Sequence, residues 1–294
     1  MLAAADLPST FRAADASSLA GQRAAVRWRA TQLMLLLAAA VAGVLSWQLT
    51  ARLDLATVAA AGAYAAALVC ERARVQRNPE REWYRGRAGA ESVKTLAWKY
   101  AVGGEPFVAG APDADATFHD SLRGVTASLA EVDWISDDPD PVQITPAMRE
   151  LRAAPLAERR EAYRRDRIAD QRAWYAGNAA GARRGARRWS TVVTVATSIG
   201  LIGAAVKAFG GPGLNFLGVA SACAAAAAAW TQFRQHESLA SAYGVAAREL
   251  ALIEDQVAGC EDETTWARLV KESEEAISRE HTMWAARRDI RLSR

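Results

Sequence analysis

The hydrophobic positions of this chain fall into blocks. Residues 30–51 carry no charge, and Leu33, Met34, Leu35, Leu36, Leu37, Val41, Val44, Leu45 and Leu49 make that window strongly apolar. A second uncharged run, 55–70, follows after only Arg52 and Asp54. The pattern recurs at 189–206 and, past a single Lys207, at 208–233. A membrane-spanning helix needs roughly 17 to 25 predominantly apolar residues. Three of the four runs meet that length. The shorter run, 55–70, needs help from Leu53 and the flanking chain. The pattern predicts an all-α membrane protein of two transmembrane hairpins, four spans in total, with long cytoplasmic helical extensions.

The alternative is a soluble bundle with alanine-rich core helices, for which the uninterrupted alanines at 224–229 speak. Charge placement favours the membrane. The turn inside each hairpin carries one basic residue, Arg52 or Lys207. The outer flanks carry Arg23, Arg27 and Arg29, then Arg72, Arg74 and Arg77, then Arg183, Arg184, Arg187 and Arg188, then Arg234. This is the positive-inside distribution written twice, and it predicts that both termini are cytoplasmic. Trp28, Trp47, Trp189 and Trp230 stand at the run ends, where amphipathic rings favour the headgroup zone. About thirty residues containing Asp6 and Asp15 precede the first run, which argues against a cleaved signal peptide.

Composition alone would have hidden this. With 51% hydrophobic and 23% charged residues and a net charge of +3, the average is that of an ordinary soluble protein. The mean hydropathy of −0.07 sums nearly charge-free spans and a charged body. Cys70, Cys223 and Cys260 form no disulfide framework and no C-x-x-C pair.

The chain also echoes itself. Arg27-Trp28 opens the first hairpin and Arg188-Trp189 the second, and Trp83-Tyr84-Arg85-Gly86 is matched by Trp174-Tyr175-Ala176-Gly177. Three segments follow: 1–108 as a first two-span unit, 109–144 as an acidic cytoplasmic connector, and 145–294 as a second two-span unit ending in an amphipathic helix. The connector holds Asp113, Asp115, Asp120, Glu131, Asp133, Asp137, Asp138 and Asp140, and its Asp-Pro-Asp-Pro stretch at 138–141 is a turn. Thr145-Pro146 restarts a helix with a capping hydroxyl and proline at the first position. From Pro155 to Arg188 no further proline interrupts, so a helix there would be about 50 Å long. Gly177, Gly181 and Gly185 fall on one face of it, where they would admit a neighbouring helix beside Trp174 and Tyr175. Beyond the fourth run, 238–255 continues as helix, Gly259 interrupts, and 262–290 forms a last helix with Trp266, Leu269, Val270, Ile277 and Trp284 on one stripe.

The string Arg152, Pro155, Arg159, Tyr163, Arg167, Asp170-Gln171 and Trp174-Tyr175 leads straight into a hairpin. With residues 90–100 (Ala-Glu-Ser-Val-Lys-Thr-Leu-Ala-Trp-Lys-Tyr) and Glu280-His281-Thr282-Met283-Trp284, it resembles the SLATT proteins, SMODS- and SLOG-associating two-transmembrane effector domains, here in tandem over about residues 10 to 288. The resemblance implies a bacterial inner-membrane effector of conflict systems that forms pores when a partner senses or makes a nucleotide signal. This chain has no nucleotidyltransferase motif and no glycine-rich dinucleotide fingerprint, so the sensor would be a separate protein.

The residues themselves argue against an enzyme. His119, His236 and His281 are scattered, and none stands at ligand spacing from another His or Cys, so neither a metal nor a cofactor is expected. A pore needs polar side chains on one face of a span. Thr191, Thr194 and Ser198 supply such a stripe in the third run, and Asp54, Thr57 and Tyr64 in the second, although Ser and Thr also serve ordinary packing in lipid. Arg183, Arg184, Arg187 and Arg188 are the candidates for anionic headgroups, since no nucleic-acid-binding module accompanies them. Four spans enclose little space, so a conducting path implies a homo-oligomer among membrane lipids. The competing reading is a membrane-anchored scaffold whose cytoplasmic helices bind a signalling partner.

Overall fold

The computed structural model describes residues 2–45, 48–50, 53–128, 141–209 and 216–292, with backbone alone at 53, 216 and 279–292. Ten α-helices account for almost all of it: α1 (Ser9–Ala42), α2 (Leu55–Arg77), α3 (Pro79–Val102), α4 (Ala114–Ser128), α5 (Pro146–Ala153), α6 (Leu156–Tyr163), α7 (Asp170–Ala208), α8 (Phe216–Arg234), α9 (His236–Ala258) and α10 (Glu263–Leu292). A π-helical turn, Arg164–Ala169, joins α6 to α7, so the helix read from 155 onward runs through to Ala208. Between α1 and α2 lies an antiparallel ribbon, β1 (Gln48–Thr50) against β2 (Leu53–Asp54), which the hydrophobic pattern did not announce.

Local chemistry explains the element ends. Asp54 caps α2, its carboxylate accepting from the Ala56 amide at 2.9 Å. Asn78 closes the same helix in the left-handed region at φ 42°, its amide donating to the Arg74 carbonyl, and Pro79 opens α3 where a missing amide costs nothing. Thr145 caps α5 with Pro146 in its first turn, as its sequence implies. Trp47, the turn at 138–140, most of the loop 207–213 and the side chains of Glu280 to Trp284 lie outside the described residues.

Contacts divide the chain into two compact units. The first comprises Met1–Gln22, Glu80–Gly177 and Tyr243–Arg294 and has a large-residue core. Trp98, Tyr100, Phe107, Phe118, Met148, Tyr163, Tyr175 and Trp266 are fully buried there. Their rings meet edge to face, Trp98 on Tyr163 at 5.9 Å and Tyr163 on Trp266 at 5.7 Å between centroids. The stretch read as a connector contributes to this core: α4 buries Ala114, Phe118 and Leu122.

The second unit comprises Arg23–Pro79 and Asn178–Ala242 and is built the other way round. Its buried positions are small: Ala25, Ala39, Ala56, Ala60, Ala67, Cys70, Ala196, Ala220 and Ala227. Its bulky apolar side chains point outward, among them Met34, Leu68, Val69, Ile199, Leu201 and Ile202, each more than half exposed. Small residues inside and large aliphatic ones outside is the packing of helices whose solvent is lipid. Three helical stretches, Ser9–Ala42, Leu55–Val102 and Leu156–Ala208, contain windows long and apolar enough to cross a membrane. The fourth uncharged run lies on α8, 19 residues long and charge-free until Arg234.

Candidate functional site

The family string found in the sequence turns out to be a set of donors locked into the first unit. Arg152 reaches the carbonyls of Tyr100 (2.9 Å), Phe107 (2.7 Å) and Val108 (3.0 Å), and its guanidinium lies 4.9 Å from the Tyr100 ring centroid. Arg159 donates to the carbonyls of Ala154 and Val102 and pairs with Glu263. The Val102 carbonyl also accepts from the Trp266 indole at 2.7 Å, so one backbone oxygen ties α6 and α10 to the end of α3.

Arg167, about two turns further along, is fully buried and so is its partner Glu274. Nε donates to Oε1 at 2.8 Å and Nη2 to Oε2 at 2.7 Å. The same carboxylate accepts from Thr95 Oγ1 at 2.8 Å and from the Tyr163 hydroxyl at 3.1 Å. Burial alone would lower the Arg167 pKa, but the charge and hydrogen bonds of Glu274 outweigh it and raise it. Burial, helped by the Glu274 charge, drives the Tyr163 hydroxyl well above the usual range. Lys94 is pushed down by burial and by the Arg167 charge beside it. Such a cluster fixes which helices meet, because a mispaired helix would strand a charge in the core.

Glu263 and Glu274 are the partners that sequence reasoning missed. They stand 104 and 107 residues from their arginines, a separation with no local signature. The stripe on α10 is placed as its spacing implies, with Trp266, Val270 and Ile277 buried and Leu269 against the core. Trp174 meets Tyr175 at 5.2 Å and Tyr243 at 5.4 Å, with the Arg87 guanidinium 5.4 Å from its ring.

In the second unit the polar candidates lie off the buried faces. Thr57, Tyr64, Thr191, Thr194 and Ser198 are all exposed, whereas their neighbours Ala56, Ala60, Ala196 and Gly200 are buried. Asp54, half-buried, is the α2 cap. Thr191 bonds back to the Arg187 carbonyl at 3.0 Å, which satisfies its donor within the helix. Of Gly177, Gly181 and Gly185 on α7, only Gly185 has a close neighbour: an added Cβ would meet the His236 ring at 2.7 to 3.1 Å. At Gly177 and Gly181 it would meet nothing within 4 Å. Arg183, Arg184, Arg187 and Arg188 are exposed. Immediately after Arg188, Trp189 approaches Trp230 to 6.0 Å, with Arg234 over the Trp230 ring. In the first hairpin Arg77 likewise covers Trp28 at 5.8 Å. Among the described residues no group of three His, Cys, Asp or Glu is placed to hold a metal ion.

Neither a curated protein nor a solved structure matches the chain. Two family models do: SMODS and SLOG-associating 2TM effector domain 3 over residues 8–160, and SMODS and SLOG-associating 2TM effector domain 1 over residues 163–284. The two matched segments share the core of the first unit. Thr95, Val102, Glu105 and Arg159 of the domain 3 segment bond to Glu274, Trp266, Lys271 and Glu263 of the domain 1 segment. With more than half its length inside the first match and nearly all of the remainder inside the second, this membrane-associated chain belongs to the SMODS- and SLOG-associating two-transmembrane effectors of conflict systems, two domains in tandem.

Proposed function

We propose that the chain is a pore-forming effector: a four-span, multi-pass protein of the bacterial inner membrane with both termini in the cytoplasm, which assembles from several copies and conducts when a separate nucleotide-signalling partner acts on its cytoplasmic helices. The observation that carries this reading is the outward face of the second unit. Thr191, Thr194 and Ser198 stand exposed among Val195, Ile199 and Ile202 on α7, and Thr57 and Tyr64 among Val58 and Leu68 on α2. Intramembrane hydroxyls gain little from facing lipid and usually line a bundle interior or a wet cavity. In a ring of copies the exposed faces of α2 and α7 would meet, placing the hydroxyls toward a central path. α8 supplies the fourth span, and the paired arginine flanks set the orientation.

The experiment is planar-bilayer conductance of the purified full chain, alone and with its native partner and candidate nucleotides, beside its oligomer mass. Conductance by a species larger than a monomer is the expected result. A monomer that never conducts, with no growth arrest on overexpression and a stable complex with a cytoplasmic partner, would instead establish the scaffold.

A further inference from the structure

The entry to the second hairpin carries a dense cluster of charge that pore formation does not require. At the exit of the first hairpin positive charge is compensated locally, where Arg74 pairs with Glu71 at 2.7 Å and Glu80 and Glu82 open the next helix, whereas at its entry Arg23 and Arg27 stand exposed with no acidic residue after Asp15 on α1. On α7, between Asp170 and the apolar run there is no acidic residue at all, yet four arginines stand at positions 183, 184, 187 and 188. All four are exposed, and none is paired with a carboxylate among the described residues. Elsewhere the arginines preceding the span are engaged: Arg159 with Glu263, Arg164 with Glu161 and Glu254, Arg165 with Asp166, Arg167 with Glu274 and Arg172 with Glu254.

Helical geometry gathers the four onto one side. At about 100° per residue they cover an arc of about 140°, and at about 1.5 Å per residue they lie within about 9 Å of Trp189 along the axis. Trp189 and Trp230 stand together at that level, and Arg234 covers Trp230. An indole pair beside uncompensated guanidinium groups, at the end of an apolar run, matches the depth profile of a phospholipid: acyl chain, glycerol, then phosphate. Guanidinium binds phosphate oxygens in a planar bidentate fork and loses less hydration than an ammonium would, so arginine suits a fixed headgroup contact better than a diffuse charge.

We propose that Arg183, Arg184, Arg187 and Arg188, with the Trp189 and Trp230 pair, form a binding site for anionic phospholipid headgroups on the second hairpin. The inference rests on the reading that the apolar run of α7 crosses a bilayer.

The full chain is inserted into nanodiscs of phosphatidylcholine with 30% phosphatidylglycerol, and the lipids retained on the protein are counted by native mass spectrometry at low and high salt, with conductance recorded separately. Retention of phosphatidylglycerol over phosphatidylcholine is expected, weakening with salt and falling about fivefold for each arginine replaced by glutamine, which makes on the order of a hundredfold or more when all four are replaced. If the quadruple variant fails to insert, the four single Arg→Gln variants give the same reading one step at a time. Equal retention of both lipids, or a preference that survives in the single and quadruple variants, would overturn the proposal. So would preferential binding of free glycerol phosphate or of a single-stranded oligonucleotide at these arginines. A protein that retains anionic lipid through these residues yet never conducts leaves the site intact and overturns only the pore.

Discussion

Arg167 and Glu274 form a two-pronged ion pair sealed from solvent, with both short hydrogen bonds inside the aromatic core of the first unit. Buried pairs of this kind roughly balance desolvation against attraction while both partners are present, but a lone survivor is costly. Glu274→Ala should therefore destabilise the protein by about 3 to 5 kcal/mol, because it strands Arg167, Thr95 and the Tyr163 hydroxyl together. Replacing Arg167 and Glu274 together by Met and Leu should recover most of that loss. Protease resistance of the detergent-purified chain during heating measures both.

A pH dependence follows from Tyr100. Burial, with the hydrogen bond to Asp115, pushes its hydroxyl up to about 12. A raised pKa means that the folded state holds the proton more tightly than the unfolded chain. Tyr100 then stabilises the fold fully below about pH 10, its ordinary value, and loses that contribution between about pH 10 and 12. Asp115 works at the acid end. The Tyr100 hydroxyl and Arg149 hold its carboxyl below the usual range, so its contribution exists at neutral pH and is lost as the solution becomes strongly acidic. Ultraviolet titration of phenolate, compared between the wild type and Tyr100→Phe, should show one tyrosine missing from the high-pH end of the curve.

The two echoed glycines should respond in opposite ways. An added Cβ at Gly86 would meet the Ser18 amide at 2.8 Å and the Ala14 carbonyl at 3.0 Å, both backbone atoms of α1 that cannot swing aside. Gly86→Ala should cost about 1 to 3 kcal/mol by overpacking. Its sequence counterpart Gly177, with open space around it, should accept alanine with a gain of about 0.5 to 1 kcal/mol from helix propensity. Thermal melts of the two single variants separate these outcomes.

For the pore, Thr191→Leu, Thr194→Leu and Ser198→Leu combined should abolish conductance while leaving the melting behaviour of the first unit unchanged. The three positions are exposed and contribute nothing to its core. A variant that conducts normally would move the path away from α7.

Much of this fold could be read directly. The uncharged runs marked helices because charge is excluded from lipid, Thr145-Pro146 marked a helix start through its capping chemistry, and Gly259 fell in the break between α9 and α10. The Trp266, Val270 and Ile277 stripe showed its buried face through simple periodicity. What could not be read was mutual placement. The partners of Arg159 and Arg167 lie over 100 residues away, and the sterics that single out Gly86 from Gly177 depend on where α1 passes. The β1 and β2 ribbon is five residues long in all, too short to express a two-residue alternation.

The π-helical turn at Arg164–Ala169 falls just after the seam between the two matched segments, which end at 160 and begin at 163. A π turn is what an α-helix becomes when it absorbs one extra residue. It therefore acts as a phase shifter between the arginines of α6 and the aromatic pair Trp174 and Tyr175. Removing a single residue there would let the turn close into ordinary α-helix while the residues on either side keep their faces, whereas the same deletion in the regular helix just beyond it would turn the residues that follow by about 100°.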